Sequence, residues 1–387
     1  MIYIGIDISK YKHDCFITTE GVNHSFSFEN NQEGFSKLLF ELEKCPKDLE
    51  RIIGLEATGH YGETLKSFLS IHGFTFMEIN PFLVKKFSEA QSLRKTKTDK
   101  KDAELISTYM KSVDYKTYHH QSYHISALKV LTRLRSKLIT ERTRYYNLLT
   151  KVLDIIFPEY KVFWLNNRFS DTSLYILDKF RTPIKIAKMS ESHYDTLRKL
   201  SRGKFSYPRF TKLKLLASHT IGITKDYHLT CMDIYLSSIK LLTTRITSIE
   251  EQIVFLMKSY PTKIQTIKGI GVISAATILS EFGSISNFDS PASMLSYAGL
   301  EPSVNQSGMH ESNGKLVKRG SSELRSTLVM SSFHMMRYIP KFYAYYHKKK
   351  LEGKHHQVAL IHLTRKLIRI IFHLESTQTD FNLSFLN

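Results

Sequence analysis

Four acids in the N-terminal third have the types and spacing to hold a divalent metal: Asp7, Glu56, Asp99 and Asp102. Asp7 closes the alternating run "IYIGID" and Glu56 closes "RIIGLE", so each ends an apolar segment that reads as a strand. Adjacent strands of one sheet would bring these two carboxylates together. Asp99 and Asp102 stand three residues apart in "KTDKKDAELI", which puts both on one face at a helix start. Two divalent ions about 3.5 to 4 Å apart need shared carboxylates of this kind, one ion activating the attacking oxygen and the other steadying the leaving oxygen. Lys95, Lys97, Lys100 and Lys101 surround the last pair and could hold a phosphodiester backbone beside it. Each acid alone has a plainer role: a turn or helix cap for Asp7 and Asp99, a lysine partner for Asp102, a buried hydrogen-bonding group for Glu56. The four together favour metal.

The elements that would position these acids follow from the pattern around them. A strand ending in aspartate opens both the actin-like ATPases and sugar kinases and the RNase H-like nucleases. The kinase reading weakens because Asp7 is followed by Ile-Ser-Lys, with no glycine for a phosphate loop. After the first strand come its hairpin partner "HDCFITTE", a third strand in "VNHSFSFEN" and a helix through "EGFSKLLFELEK". The run ending at Glu56 leads into the helix "ETLKSFLSIHG", closed by Gly73, and the short strand "FTFMEIN". Three antiparallel strands followed by strand and helix alternation predict an RNase H-like α/β domain.

With 387 residues, 42% hydrophobic and 12% aromatic, the chain can build two or three cores. Lysine and arginine outnumber acids 55 to 36, a formal charge of +19, and the sequence pI is near 9.6. Such a surface attracts polyanions, nucleic acid first among them. No stretch approaches the roughly 20 apolar residues of a membrane span, and the start lacks the order of a signal peptide, so a cytoplasmic protein is expected. Cys15, Cys45 and Cys231 are widely separated and support neither a disulfide framework nor a zinc ribbon. The 17 histidines include no HExxH, and pairs such as His119-His120 and His355-His356 read as solvated basic surface.

From about residue 124 to 260 the pattern turns helical. Leu131, Leu134, Leu138, Tyr145, Leu148 and Val152 form one stripe, which Phe157-Pro158 stops. Met232, Tyr235, Ile239, Leu242, Ile246, Ile249, Ile253 and Leu256 form a stronger one at three-four spacing, the seam of a coiled coil. A seam that long needs a partner, either the first helix folded back or another subunit. Between them, "LRKLSRGKFSYPRFTKLKLL" is either a phosphate-contacting insertion or a solvated helical subdomain. Farther on, "IQTIKGIGVISAATILSEFG" reads as helix, a hairpin at Gly269-Ile270-Gly271, and a second helix; such a turn can aim backbone N–H groups at a phosphate. The tail "HHQVALIHLTRKLIRIIFHL" reads as an amphipathic basic helix used for packing and backbone contact.

Five separated motifs together resemble a known family: "GIDISK", "GLEATGHYG", "KTDKKDAELI", "IKGIGVISAATILSEFG" and "SYAGLEPSVNQSGMHESNGKLVKRGSSELRSTL". Their order resembles that of the DEDD-type transposases of bacterial insertion sequences, with the related pilin-gene invertase, understood as bridge-RNA-guided recombinases. The resemblance implies three parts: a RuvC-like metal domain (1–115), a coiled-coil linker and dimerisation region (116–260), and a mainly α transposase domain with a helix-hairpin-helix (261–387). It implies an acidic tetrad of Asp7, Glu56, Asp99 and Asp102 binding Mg2+ or Mn2+, and a nucleophilic serine at Ser307, with Ser303 and Ser312 nearby in the same loop. It further implies donor and target DNA, a guide RNA, dimers assembled into a tetramer, and a place in the bacterial cytoplasm with the nucleoid. A serine hydroxyl suits strand exchange because it conserves the phosphodiester energy in a phosphoserine link. Lys315, Lys318, Arg319 and Arg325 could neutralise charge building on the phosphate. Two alternatives remain open: a metal-dependent junction resolvase or nuclease with no covalent link, and a nucleic-acid binding protein with no chemistry.

Overall fold

Ile2, Ile4 and Ile6 alternate with Tyr3, Gly5 and Asp7, and this alternation builds the centre of a sheet covered on both faces. The computed structural model describes residues 1–19, 23–46, 48–56, 59–79, 81–91, 99–112, 123–165, 168–302, 305–307, 310–312, 316–318 and 320–383. These divide into two compact units, Met1–Ser122 with Gly283–Asp289, and Tyr123–Phe282 with Ser290–Asn387.

In the first unit, β1 (Ile2–Asp7), β2 (Lys12–Thr18), β3 (Asn23–Glu29), α1 (Gln32–Glu43), β4 (Arg51–Glu56), α2 (Glu63–Ile71), β5 (Phe76–Ile79), α3 (Pro81–Gln91) and α4 (Asp99–Ser112) follow in order. The five strands form one mixed sheet in the order β3-β2-β1-β4-β5. β1 pairs antiparallel with β2 and parallel with β4, so the sheet changes sense at β1. Ile2, Ile4 and Ile6 are fully buried in one cluster with Leu38 and Leu42 of α1 and Leu65 and Leu69 of α2. A second cluster joins Ile106, Tyr109 and Met110 of α4 to Met77 and Ile79 of β5 and Val84 of α3. The helix α3 was not marked by the sequence pattern; Pro81 starts it, at the position where a missing N–H costs nothing.

The second unit is built on two long helices, α5 (Tyr123–Ile156) and, after a helical subdomain, α11 (Asp226–Lys258). Each is about 50 Å long at 1.5 Å per residue. Arg135 Nε donates to Glu250 at 2.7 Å, Arg142 to Thr243 at 3.3 Å, and the rings of Tyr145 and Tyr235 lie 6.1 Å apart. Rising numbers on one helix meet falling numbers on the other, so the pair is antiparallel. Of the expected α11 seam, Met232, Ile239, Leu242, Ile246, Ile249 and Ile253 are buried, and Leu236 and Met257 are buried in place of Tyr235 and Leu256, which are only half-buried. The first helix therefore folds back onto the seam within one chain. On α5, however, Leu134 is 42% exposed, and Leu128, Thr132, Leu149 and Leu153 are buried instead. Arg133 and Arg135, on either side of Leu134 in sequence, both engage partners.

The intervening subdomain comprises α6 (Glu159–Phe163), α7 (Asp171–Phe180), α8 (Pro183–Ala187), α9 (Glu191–Leu200) and α10 (Tyr207–Ser218). They share a core of Phe157, Tyr160, Trp164, Phe180, Phe205 and Phe210 with the adjoining ends of α5 and α11. Beyond α11 follow α12 (Val272–Phe282), α13 (Pro291–Tyr297), the small hairpin β6 (Asn305–Ser307) and β7 (His310–Ser312), α14 (Ser322–Tyr338), α15 (Pro340–Leu351) and α16 (His356–Thr377). The apolar stripe of α16, from Ala359 through Leu363, Leu367 and Ile371 to Leu374, is buried. No helix of the described residues is long and apolar enough to cross a membrane.

Candidate active site

Gly5 and Gly54 are register partners on β1 and β4, each two residues before an acid that ends its strand. The period of two puts Gly5 and Asp7 on one face of the sheet, and Gly54 and Glu56 likewise. At Gly5 a Cβ would collide with the carbonyl of Ala103 and the amide of Ser107; at Gly54 it would meet the sulfur of Met110. Gly5 is thus a bare floor for the backbone of α4, and Gly54 leaves room for the Met110 side chain of the same helix. Ser107 Oγ fixes the other end of the contact, donating to the Tyr3 carbonyl at 3.1 Å and accepting from Thr18 Oγ1 at 2.9 Å.

This contact sets where the remaining acids fall. Ser107 lies at Tyr3 and Ala103 at Gly5. Four helical residues advance about 6 Å and two strand residues about 6.6 Å, so the next step of each carries Asp99 toward the Asp7 end. Asp102 adjoins Ala103 at the same helix start and is half-buried, as are Asp7 and Glu56. β1 and β4 run parallel with Ile6 beside Leu55, so Asp7 and Glu56 are the next residues side by side. The fold gathers all four acids, by placement, at one end of the sheet. Among the described residues no three of His, Cys, Asp or Glu already stand in metal-holding geometry. The side chain of Asp99 lies outside the described residues, so Asp7, Glu56 and Asp102 are not by themselves a finished cage.

A fifth carboxylate, which the sequence reading passed over, faces the same region. Asp14 on β2 is the register partner of Asp7 and is 3% exposed. Its oxygens accept from Ser27 Oγ at 2.5 Å and meet Lys12 Nζ at 3.5 Å. The signal that could have found it is the hairpin register, since Asp14 sits across from Asp7 once the two strands pair. Of the basic residues expected here, Lys100 and Lys101 are exposed on the first turns of α4; Lys95 and Lys97 lie outside the described residues.

In the second unit, Ser307 ends β6 and is the register partner of His310 across a two-residue connection. The hairpin is rooted by a bridge between Pro302 and Leu316 and by the bond from Val317 N to the Glu301 carbonyl at 3.0 Å. Ser312 ends β7, whereas Ser303, Lys315 and Arg319 lie outside the described residues. Lys318 is exposed on a left-handed backbone, φ +52°. Arg325, expected to meet phosphate, donates to the carbonyl of Gly320 at 3.0 Å and so braces the turn that leads into α14.

The segment before Gly269 is a short 3-10 turn, Lys263–Thr266, and α12 starts at Val272. Gly269 has φ +100°, and a Cβ there would press on the Met335 backbone and the Tyr338 ring of α14. Gly271 has open space around it, and its carbonyl accepts from Ala275 N in the first turn of α12. At the other end of α12 stands a half-buried ion pair. Glu281 of α12 is 1% exposed and accepts from Arg133 Nε at 2.6 Å and Nη2 at 2.9 Å, tying α5 to α12. Tyr297 of α13 donates to the Glu281 carbonyl at 3.1 Å.

A sheet ending in paired acids beneath a lysine-rich helix start defines a candidate phosphodiester-handling site. Comparison with known proteins gives it a family. Residues 4–158 match a transposase family model of the IS110 DEDD type, and residues 262–347 match one described as transposase of the IS116/IS110/IS902 family. The chain belongs to the IS110 family of insertion-sequence transposases. The pilin gene-inverting protein of Moraxella lacunata is 26% identical over 378 residues, covering 96% of this chain and 94% of that protein. The IS116 44.8 kDa protein of Streptomyces clavuligerus is 24% identical over 385 residues with the same coverage. The IS110 43.6 kDa protein of Streptomyces coelicolor is 31% identical over 127 residues, 32% of this chain and 31% of that protein.

Proposed function

We propose that this transposase cuts and rejoins DNA through a covalent link to Ser307, assisted by divalent metal held at Asp7, Glu56, Asp99 and Asp102. The observation that supports the metal half is that Asp7 and Glu56 end neighbouring parallel strands while the start of α4, which carries Asp99 and Asp102, packs over Gly5. The strand order β3-β2-β1-β4-β5, with its change of sense at β1, supports an RNase H-like, RuvC-like reading of this unit. Mg2+ or Mn2+ held by these acids would supply Lewis-acid stabilisation of charge on a phosphate.

The serine half is supported by the match of residues 262–347 to a transposase model and by the position of Ser307 at a hairpin tip. In the step we propose, Ser307 Oγ bonds to phosphorus, the P–O bond to the departing strand breaks, and the serine proton ends on the oxygen that leaves. Attack on the phosphoserine by a new strand hydroxyl reverses the sequence, so the joined product needs no nucleotide triphosphate. Lys318 is exposed where it can meet the phosphate. A structured guide RNA, dimers assembled into a tetramer, and the division into parts at about residues 115 and 260 complete the reading.

The test is sequencing of newly joined DNA in cells carrying the gene with its native flanks, for wild type, Asp102→Asn and Ser307→Ala. Junctions that vanish in both variants support roles for both the acids and the serine. A junction nuclease without a covalent intermediate uses the same acids, and junctions that survive Ser307→Ala would return the chemistry to the metals alone.

A further inference from the structure

The helical subdomain between α5 and α11 holds none of the proposed catalytic residues, yet it carries a concentrated charge. From Lys185 to Lys214 there are nine lysines and arginines against two acids, Glu191 and Asp195. We propose that α9, α10 and the turn between them form a contact surface for the backbone of duplex DNA, built from residues other than the four acids and Ser307. This rests on membership of a DNA-rearranging family and adds a binding role that the cleavage chemistry does not require.

Lys214 reaches back to the Met189 carbonyl at 2.6 Å and is part of the packing. Arg202, Lys204, Arg209 and Lys212 are exposed, and among the described residues none of the four is ion-paired with a carboxylate. Of the two local acids, Glu191 accepts from the Tyr207 hydroxyl at 2.9 Å. The four cations are therefore an uncompensated patch, which repels itself in the free protein and gains when a polyanion releases its counterions.

The backbone and the core beneath hold the patch in one geometry. Arg202 and Gly203 both take left-handed conformations, φ +51° and +80°, so the chain turns sharply out of α9 and sets Arg202 and Lys204 just ahead of α10. Phe205 and Phe210 flank the α10 start and are buried with Trp164 and Leu197. The Arg209 guanidinium lies 5.2 Å from the Phe163 ring, 5.4 Å from Trp164 and 5.8 Å from Phe205. An exposed guanidinium laid over three rings forfeits little rotamer freedom on meeting a phosphate, and its remaining donors match the phosphate oxygens. Lys212, three residues on, falls on the same face of α10. Duplex DNA is the polyanion that the family's activity names, and its backbone offers one charge per ~1.7 Å of axis.

The experiment is fluorescence anisotropy of a short labelled DNA duplex with the full-length protein across a salt series. Lys204→Gln/Lys212→Gln alters only exposed side chains; a quadruple variant adds Arg202→Gln and Arg209→Gln. The slope of log affinity against log salt is expected to shrink by about 0.9 for each phosphate contact removed, and the quadruple variant to bind about tenfold or more weakly near physiological salt. Unchanged slope and affinity in both variants would overturn the proposal. So would a loss confined to a hairpin RNA of equal length with duplex binding intact, which would assign the patch to RNA. Asp102→Asn and Ser307→Ala, which test the cleavage chemistry, are expected to keep wild-type affinity and slope, so the two readings fail separately.

Discussion

Gly5 and Gly54 carry no reactive group, yet the acid end of the sheet depends on them. Gly5→Ala would force the new methyl into the Ala103 carbonyl and Ser107 amide, which are backbone and cannot swing aside. Overpacking of this kind costs about 1–3 kcal/mol. A lowered melting temperature with loss of DNA joining is the expected result; a variant as stable and active as wild type would show that α4 does not lie on that strand. His13 gives a second residue-scale expectation. It is fully buried against Phe28 and Phe35, and burial holds its imidazole below the ordinary value of 6.5, with the Asn30 side chain and the Asp14 charge offsetting part of this. The unfolded chain thus takes up the proton first as pH falls. Stability from His13 is complete above pH 6.5 and is lost as pH falls from there to the lower folded value. Urea midpoints should show a steeper fall through that window in wild type than in His13→Gln; equal slopes would refute the neutral buried form. At this scale Asp7 and Glu56 were legible because apolar alternation marks a strand end, whereas Asp14 was hidden because its importance lies in a register partner.

At the scale of elements, the Arg133 and Glu281 pair joins the long helix α5 to α12, on the chain's path to the serine hairpin. Removing the cation would leave a carboxylate that is 1% exposed without its partner, although the Arg133 side chain itself is 44% exposed. Arg133→Met should therefore destabilise by about 2–3 kcal/mol, below the range for a fully buried pair. Denaturant unfolding would measure it, and a change under about 0.5 kcal/mol, the size of an ordinary surface substitution, would deny the pair its role. The strands, the helices α1 and α2, and the α11 seam were readable because each repeats its own period over many residues. The partner of the seam was not, since a heptad names a buried face without naming what covers it. The helices α6 to α10 were blurred for a related reason: they are short, and their core is drawn from Tyr160, Trp164, Phe205 and Phe210, which no single period connects. The motif around Gly269 was visible as glycines, but the pressure of α14 that makes Gly269 necessary arises from residues 335–338.

Across the whole molecule, matches at both ends of the chain to transposase models account for the function class, and the net charge of +19 accounts for attraction to nucleic acid. In the proposed function the acids and the charge do different work. Asp7→Asn or Asp102→Asn should lower DNA joining by at least about 100-fold, several kcal/mol of transition-state stabilisation, with duplex affinity unchanged. A parallel loss of affinity would mean that these acids hold the fold and not a metal. The central claim is that strand joining passes through a covalent serine link, and it is tested most directly by denaturing electrophoresis of labelled donor DNA incubated with the protein and Mg2+. Wild type should yield a protein-DNA adduct that survives denaturation and disappears in Ser307→Ala. An adduct that persists in Ser307→Ala, or joined DNA formed by that variant, would contradict the account.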